Sequence, residues 1–135
     1  MKTLKIQKDI REENLRTAAA LSEYYKRHSL RVVGVLGAPG SGKTTLLENL
    51  LPRLMLRTRV AVIEGDLATD NDAKRIEKTG AKAVQINTNG ACHLDAKMVG
   101  KALAGLDLEA LDLLFIENVG NLVCPVGFPL GEDIR

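Results

Sequence analysis

The sequence has no tryptophan, two tyrosines and two phenylalanines among its 135 residues. Its core must therefore be aliphatic, and Val, Ile, Leu and Ala supply it, as in buried parallel sheets. Only two cysteines are present, too few for a disulfide framework. No apolar run approaches the roughly 20 residues that a helix needs to cross a bilayer, which predicts no membrane association. Charge of one sign is also lacking. Nineteen basic and seventeen acidic side chains leave a formal +2, scattered too evenly to argue for nucleic acid. Apolar residues at 45% and charged residues at 27% exclude a disordered tail, a collagen-like repeat and a coiled-coil rod. The first residues, MKTLKIQKDIREEN, are charged from the second position and hold no apolar h-region. They predict no secretory signal, hence a cytoplasmic protein with reduced thiols.

What is there is periodic. Residues 9–27 carry Leu15, Ala18, Ala19, Leu21 and Tyr25 at helical spacing among Arg, Glu and Lys. This predicts a docking helix occupying residues 1–30, laid over a main domain at 31–135. His28 at its end fits a helix-dipole role. Strands are predicted at 31–36 (RVVGVL), 59–66 (RVAVIEGD), 83–87 (AVQIN) and 111–118 (LDLLFIEN). Helices are predicted after residue 41, with Pro52 ending or kinking the first of them, and at 70–80 and 94–106. Gly80 is the expected stop of the second. Strands alternating with helices mean right-handed crossovers. The expected fold is α/β, a P-loop NTPase-type parallel sheet flanked by helices. Residues 119–135 read as a loop. Four strands alone would expose at least one long apolar edge, so the fold is expected to be incomplete at its C-terminus, as in a fragment of a longer chain.

GAPGSGKT matches G-x-x-x-x-G-K-[ST] at every fixed position, after a strand and opening a helix. Its residues are Gly37, Ala38, Pro39, Gly40, Ser41, Gly42, Lys43 and Thr44, followed by Thr45. Backbone N–H groups can surround a phosphate only where no Cβ intrudes, and Gly40 and Gly42 give that room. The helix N-terminus faces the anion with roughly half a positive charge. Lys43 is expected to reach the β- and γ-phosphates, and the Thr44 hydroxyl to hold Mg²⁺. The alternative, a glycine-rich turn with an incidental Lys-Thr, fits the strand and helix context poorly.

Acids cluster where strands should end. Glu64 and Asp66 close the second strand, and Asp70 and Asp72 follow. Strand ends of a parallel sheet point at the ligand crevice. Asp70 reads best as a helix N-cap, whereas Asp66 and Asp72 are candidates for metal or water contact. Glu117 ends the fourth strand in the place of a Walker B acid, and Gly120 could offer its N–H to a γ-phosphate. An exposed, solvated strand-end acid is the bland alternative for Glu117.

Cys92, His93 and Cys124 leave the sheet at the same end. Thiolate and imidazole suit Zn²⁺ or Ni²⁺. Three ligands fall short of a closed site, which a two-fold dimer would complete. Read from spacing alone, ordinary buried cysteines are the stronger reading.

These strings together resemble the HypB family of nickel-incorporation GTPases. The likeness runs from Val32 onward and rests on GAPGSGKTTLLE, VIEGDLATDNDA, ACHLDA and, most specifically, IENVGNLVCP. It implies a GTPase that converts GTP to GDP and phosphate slowly and helps insert nickel into nickel–iron hydrogenase. Cys92, His93 and Cys124 would be the Ni²⁺ or Zn²⁺ ligands, shared across a homodimer. Lys43, Asp66, Asp72 and Glu117 would serve the reaction, with Thr44, Asp72 and Glu117 on Mg²⁺. The hydrogenase large subunit and other maturation factors would be the partners. Ala91 stands where the family usually has Gly. No cysteine motif or histidine-rich tract precedes the helix, so no N-terminal nickel site or storage role is expected. The guanine-reading N-K-x-D string does not occur, so GTP over ATP follows from the resemblance alone.

Three other readings compete. A small-molecule kinase would need an arginine-bearing lid, which is not evident. The related urease-accessory GTPases place Pro between Cys and His, whereas here the two are contiguous. A fragment that only binds nucleotide or a hydrogenase partner is the non-enzymatic reading. No arginine finger or catalytic Gln is evident in cis, which is the reason slow turnover is expected.

Overall fold

A computed structural model describes residues 2–38, 41–66, 71–88, 90–121 and 124–135, with residues 2–5, 7 and 66 described by their backbone alone. Helix α1 is Lys2–Arg27, strand β1 Arg31–Val35, α2 Lys43–Leu54, β2 Val60–Asp66, α3 Asn71–Glu77, β3 Lys82–Asn87, α4 Ala96–Ala102 and β4 Leu113–Glu117. The strands form one parallel sheet in the order β1-β4-β2-β3. Successive side chains point to opposite faces, and both faces are covered. Ala61, Ile63, Leu114 and Ile116 pack with Leu21, Tyr25 and Val99 on the side of α1 and α4. Val60, Val62 and Phe115 pack with Leu47, Leu51 and Ile76 on the side of α2 and α3. This double burial is what permits the near-continuous aliphatic runs of β2 and β4.

The first helix is longer than its apolar pattern, and its inward face overlaps the predicted one at Ala18, Leu21 and Tyr25. Asn14, Ala18, Leu21 and Tyr25 are buried, while Leu15 and Ala19 face outward. Only the first member of this stripe is missed on sequence, because it is polar. Asn14 is satisfied on both sides: its Nδ2 donates to Pro129 O at 2.8 Å, and its Oδ1 accepts from Ala96 N at 2.7 Å. Tyr25 donates its hydroxyl to Leu130 O at 3.1 Å, and burial raises its phenol far above the ordinary value. The helix is thus seated on α4 and on the last residues of the chain. Asn14→Ala leaves two buried backbone groups without partners and is expected to cost about 1–3 kcal/mol. Urea unfolding reads this loss as a lower midpoint at constant m.

Other boundaries shift for local reasons. Helix α2 runs past Pro52 to Leu54, and Met55 N still donates to Leu51 O at 2.9 Å. Pro52 has no N–H to offer Glu48 O, so the helix forgoes that bond without ending there. Helix α4 is capped by Asp95, whose side chain accepts from Met98 N at 2.8 Å, and it tightens into a 3₁₀ turn at Leu103–Gly105. It starts later and ends earlier than the pattern of 94–106 suggests. Gly80, at φ 97°, does end the α3 region, whereas Asp70 lies outside the described residues. His28 places its Nδ1 2.6 Å from Glu109 Oε1 and stands edge-on to Tyr24, so a side-chain partner, not only the helix dipole, holds it.

The chain's own last residues partly cover the outer edge of β1. Gly34 N donates to Ile134 O at 2.7 Å, and Asp133 N donates to Val32 O at 2.8 Å. Val32 N in turn donates to Asp133 Oδ2 at 2.8 Å. The stretch read as loop also contains a 3₁₀ turn at Cys124–Gly127.

Candidate functional site: a phosphate loop beside a thiolate–imidazole cluster

Parallel strands deliver their C-terminal ends to one side of the sheet. In register, Val35 and Glu64 both lie beside Glu117. The phosphate loop follows β1 directly. Gly42 holds φ 94° and ψ 17°, a left-handed conformation that side chains disfavour, and α2 begins at the next residue. Ser41 N donates to Ala38 O at 3.1 Å. Lys43 folds over the loop, and its Nζ donates to Gly37 O at 3.0 Å and to Ala38 O at 3.2 Å. Pro39 and Gly40 lie outside the described residues.

Behind the loop sit the acids. Thr44 donates its hydroxyl to Glu117 Oε1 at 2.7 Å, with both residues buried. Glu64, Asp72 and Glu117 each present a carboxylate oxygen within 4.8 Å of the others. Among the described residues, no donor reaches the buried Glu117 Oε2. A buried carboxylate oxygen without a donor is costly unless a cation meets it. Hard oxygen donors, including a hydroxyl, are the set that Mg²⁺ takes. The residues present therefore fit Mg²⁺.

Asp72 and Glu117 are brought together as the sequence suggested. The side chain of Asp66 is outside the described residues, although its backbone ends β2 opposite Asn87. Glu64 takes the inner place on β2. Strand parity could have found it, because Glu64 follows Val60 and Val62 on the α2 side of the sheet. Gly120 lies one residue before Asn121, which bridges Gly37 at the start of the loop.

One residue was missed outright. Arg75, on α3, enters a cavity of 240 Å³ lined also by Gly42, Lys43, Thr44, Thr45 and Asp72. Its Nη2 donates to Thr45 Oγ1 at 3.2 Å and to Glu48, and its Nη1 lies 3.6 Å from Asp72 Oδ1. The guanidinium hydrogen bond holds Glu48 below the usual carboxylate range.

The soft donors form a second cluster. Cys92, His93 and Cys124 bring their ligand atoms within 4.8 Å of one another. Both thiols are free, and Cys92 Sγ lies 3.6 Å from His93 Nδ1. Its hydrogen bond to Cys124, followed by burial, pushes the Cys92 thiol up. Burial lowers His93, against an opposing pull from Asp95, and so favours the neutral ring that ligates metals. Phe128 stacks on that ring at 4.1 Å between centroids.

The Cys-His loop is pinned from below. A Cβ on Gly65 would lie 2.8 Å from Leu94 Cγ, so only glycine lets Leu94 approach the end of β2. Leu94 N donates to Asn118 Oδ1 at 2.9 Å, and Val119 N donates to the same oxygen at 2.9 Å. Cys124 N donates to Asn121 Oδ1 at 3.2 Å. Ala91 fits without strain, because Ser29 is the one non-glycine with positive φ among the described residues.

Residues 31–129 match the model of the CobW/HypB/UreG nucleotide-binding domain. The chain belongs to the CobW/HypB/UreG family. It is 55% identical over 129 residues to the hydrogenase maturation factor HypB of Azotobacter vinelandii, covering 96% of this chain and 43% of that protein. It is 48% identical over 132 residues to a probable HypB of Methanocaldococcus jannaschii, covering 98% and 60%. The crystal structure of HypB from Helicobacter pylori in complex with nickel superposes with a TM-score of 0.83 at 46% identity, covering 89% of this chain and 57% of that one. The chain thus spans roughly half the length of these relatives. The P-loop NTPase-type sheet expected from the sequence is the fold of this family member. No helix among the described residues is long and apolar enough to cross a membrane.

Proposed function

We propose that this chain is the nucleotide- and metal-binding part of a GTP-hydrolysing metallochaperone that assists nickel insertion into nickel–iron hydrogenase. The observation that carries the reading is one short segment serving both clusters. Glu117 faces the phosphate loop, Asn118 and Asn121 hold the backbone around the Cys-His loop and Cys124, and Asn121 bridges Gly37. A change at the phosphates is thereby felt at the thiols over a few residues.

In this reading Lys43 exchanges its two loop carbonyls for the β- and γ-phosphates. The backbone amides of the loop and of Gly120 cradle the same oxygens. Thr44, Asp72 and Glu117 hold Mg²⁺, with Asp66 and Glu64 beside them. The bound ion supplies neutralisation of phosphate charge. Water is the acceptor, and GDP and phosphate are the products. Guanine preference is carried by likeness to HypB. Ni²⁺ is cargo for Cys92, His93 and Cys124, which also suit Zn²⁺. Two copies of the chain would complete the ligand set, with nucleotide favouring the dimer and hydrolysis loosening it. The expected setting is the cytoplasm, with the hydrogenase large subunit and other maturation factors as partners. Urease is a second acceptor worth testing, since a 44% identical relative from Helicobacter hepaticus is described as a hydrogenase/urease maturation factor.

The test is a Ni²⁺ titration of the reduced protein with Mg²⁺ and a non-hydrolysable GTP analogue, reading thiolate charge-transfer absorbance and molecular mass together. Saturation at about one metal per two chains with a dimer appearing is the expected result. A folded monomer with no thiolate band would overturn the proposal.

A further inference from the structure

We propose that Arg75 is a phosphate ligand of the bound nucleotide, held aside by Glu48 and Asp72 until the nucleotide arrives. The inference rests on the nucleotide-binding reading of the loop and adds a residue to it.

Two cations line the cavity beside the loop, Lys43 and Arg75. Lys43 is committed to the carbonyls of Gly37 and Ala38. Arg75 stands against the other side of the opening turn of α2, with its Nη2 3.2 Å from the Thr45 hydroxyl. Thr45 is next to Thr44, whose hydroxyl Glu117 holds. The Arg75 side chain is 40% exposed, so it is not locked in the core and can turn without opening the fold. Its planar fork of donors matches a pair of phosphate oxygens in a way that an ammonium does not.

The partners of Arg75 explain why it waits. Glu48 and Asp72 both pair with it. Asp72 also belongs to the carboxylate cluster with Glu64 and Glu117. Its carboxylate cannot serve both a divalent cation in that cluster and Arg75 at full strength. Once Asp72 turns to the cluster, one arm of the fork loses its partner, at the moment when phosphate oxygens enter the same cavity. Glu48 is then the remaining competitor, and it lies on α2 within the same charged patch.

A purely structural role predicts something different. If Arg75 only ties α3 to α2 through Glu48, removing either partner does the same damage. If Arg75 is a phosphate ligand, the two removals act in opposite directions on nucleotide affinity. We would measure dissociation constants for a fluorescent non-hydrolysable GTP analogue with Mg²⁺ in the full chain. Thermal melting of the nucleotide-free protein would be recorded in parallel. Arg75→Ala is expected to weaken binding about 10- to 100-fold, the range of a lost charge-assisted hydrogen-bond pair. Glu48→Gln is expected to tighten it about two- to fivefold, although both variants lower the melting temperature through the lost ion pair. Arg75→Lys should recover only part of the affinity, and it serves if the alanine variant does not fold. Equal affinities for Arg75→Ala and the parent, or weaker binding in Glu48→Gln, would overturn the role of Arg75. A folded parent that binds no nucleotide would instead overturn the reading of the loop itself.

Discussion

Cys124→Ala is expected to lower nickel affinity by about a hundredfold or more and to abolish nucleotide-dependent dimerisation. Among the described residues the cluster has three donors, Cys92, His93 and Cys124. Removing one of its two sulfurs leaves a thiolate and an imidazole on a loop, a chelate with no third point. Loss of a first ligand costs at least as much as loss of an outer partner, for which 10- to 100-fold is typical. The variant should keep the fold, because Cys124 is only partly buried and its amide, not its sulfur, makes the bond to Asn121. Circular dichroism and size-exclusion mass with and without Ni²⁺ check both halves. Unchanged nickel stoichiometry in a folded dimer would remove the cluster from consideration.

The same site dictates a pH dependence. Thiolates, not thiols, bind the metal. Cys92 is raised chiefly by its hydrogen bond with Cys124, so a proton stays on the pair to higher pH than on an isolated thiol. Burial lowers His93, so the ring is neutral near pH 7 and gives up no proton on binding. Affinity therefore climbs with pH until the raised thiol range is passed and is lost as pH falls. Below that range each unit of pH should cost up to about two decades in apparent affinity, one for each sulfur.

Glu117→Gln is the second large effect, and its sign differs between free and bound states. Glu117 lies beside Glu64 in register, with both residues buried. Making one of them neutral relieves like-charge crowding in the metal-free protein. The melting temperature without Mg²⁺ is expected to hold or rise. With Mg²⁺ and nucleotide the same change removes a hard anionic donor at the phosphates, and hydrolysis should fall by about 10²–10³-fold, the scale of a lost electrostatic stabiliser. A variant that is more stable alone but less stabilised by Mg²⁺ and nucleotide marks a functional acid. If its stability fell while hydrolysis persisted, Glu117 would be structural, an acid retained for its bond to Thr44.

Much of this arrangement was legible in the sequence. The glycine loop and the aliphatic runs of β2 and β4 are local patterns with local causes, and each predicts its element to within a residue or two. Glu117 and Asp72 follow from knowing where strands end. What was not legible is set by distant packing. Asn14 reads as an exposed polar residue until Pro129 and Ala96 arrive to satisfy it. Leu15 reads as core, yet the helix turns it outward. Glu64 is legible as a strand-end acid, but its inner place follows only when strand parity is applied, since it shares a face with Val60 and Val62. Arg75 is on a seven-residue helix whose angle against α2 no periodicity specifies. The pairing of Asp133 and Ile134 with β1 could not be read at all, since neither stretch has a pattern naming the other.

The seating of α1 has a consequence for the order in which the molecule assembles. Its anchoring bonds to Leu130 and Pro129 span 105 and 115 residues of sequence, and its bond to Ala96 spans 82. Such long closures are slow relative to local ones. On a ribosome α1 emerges before its berth, which is made from α4 and from Pro129 and Leu130. This helix therefore docks only after those later residues are made, and until it does its Leu21 and Tyr25 face is available to whatever meets the nascent chain.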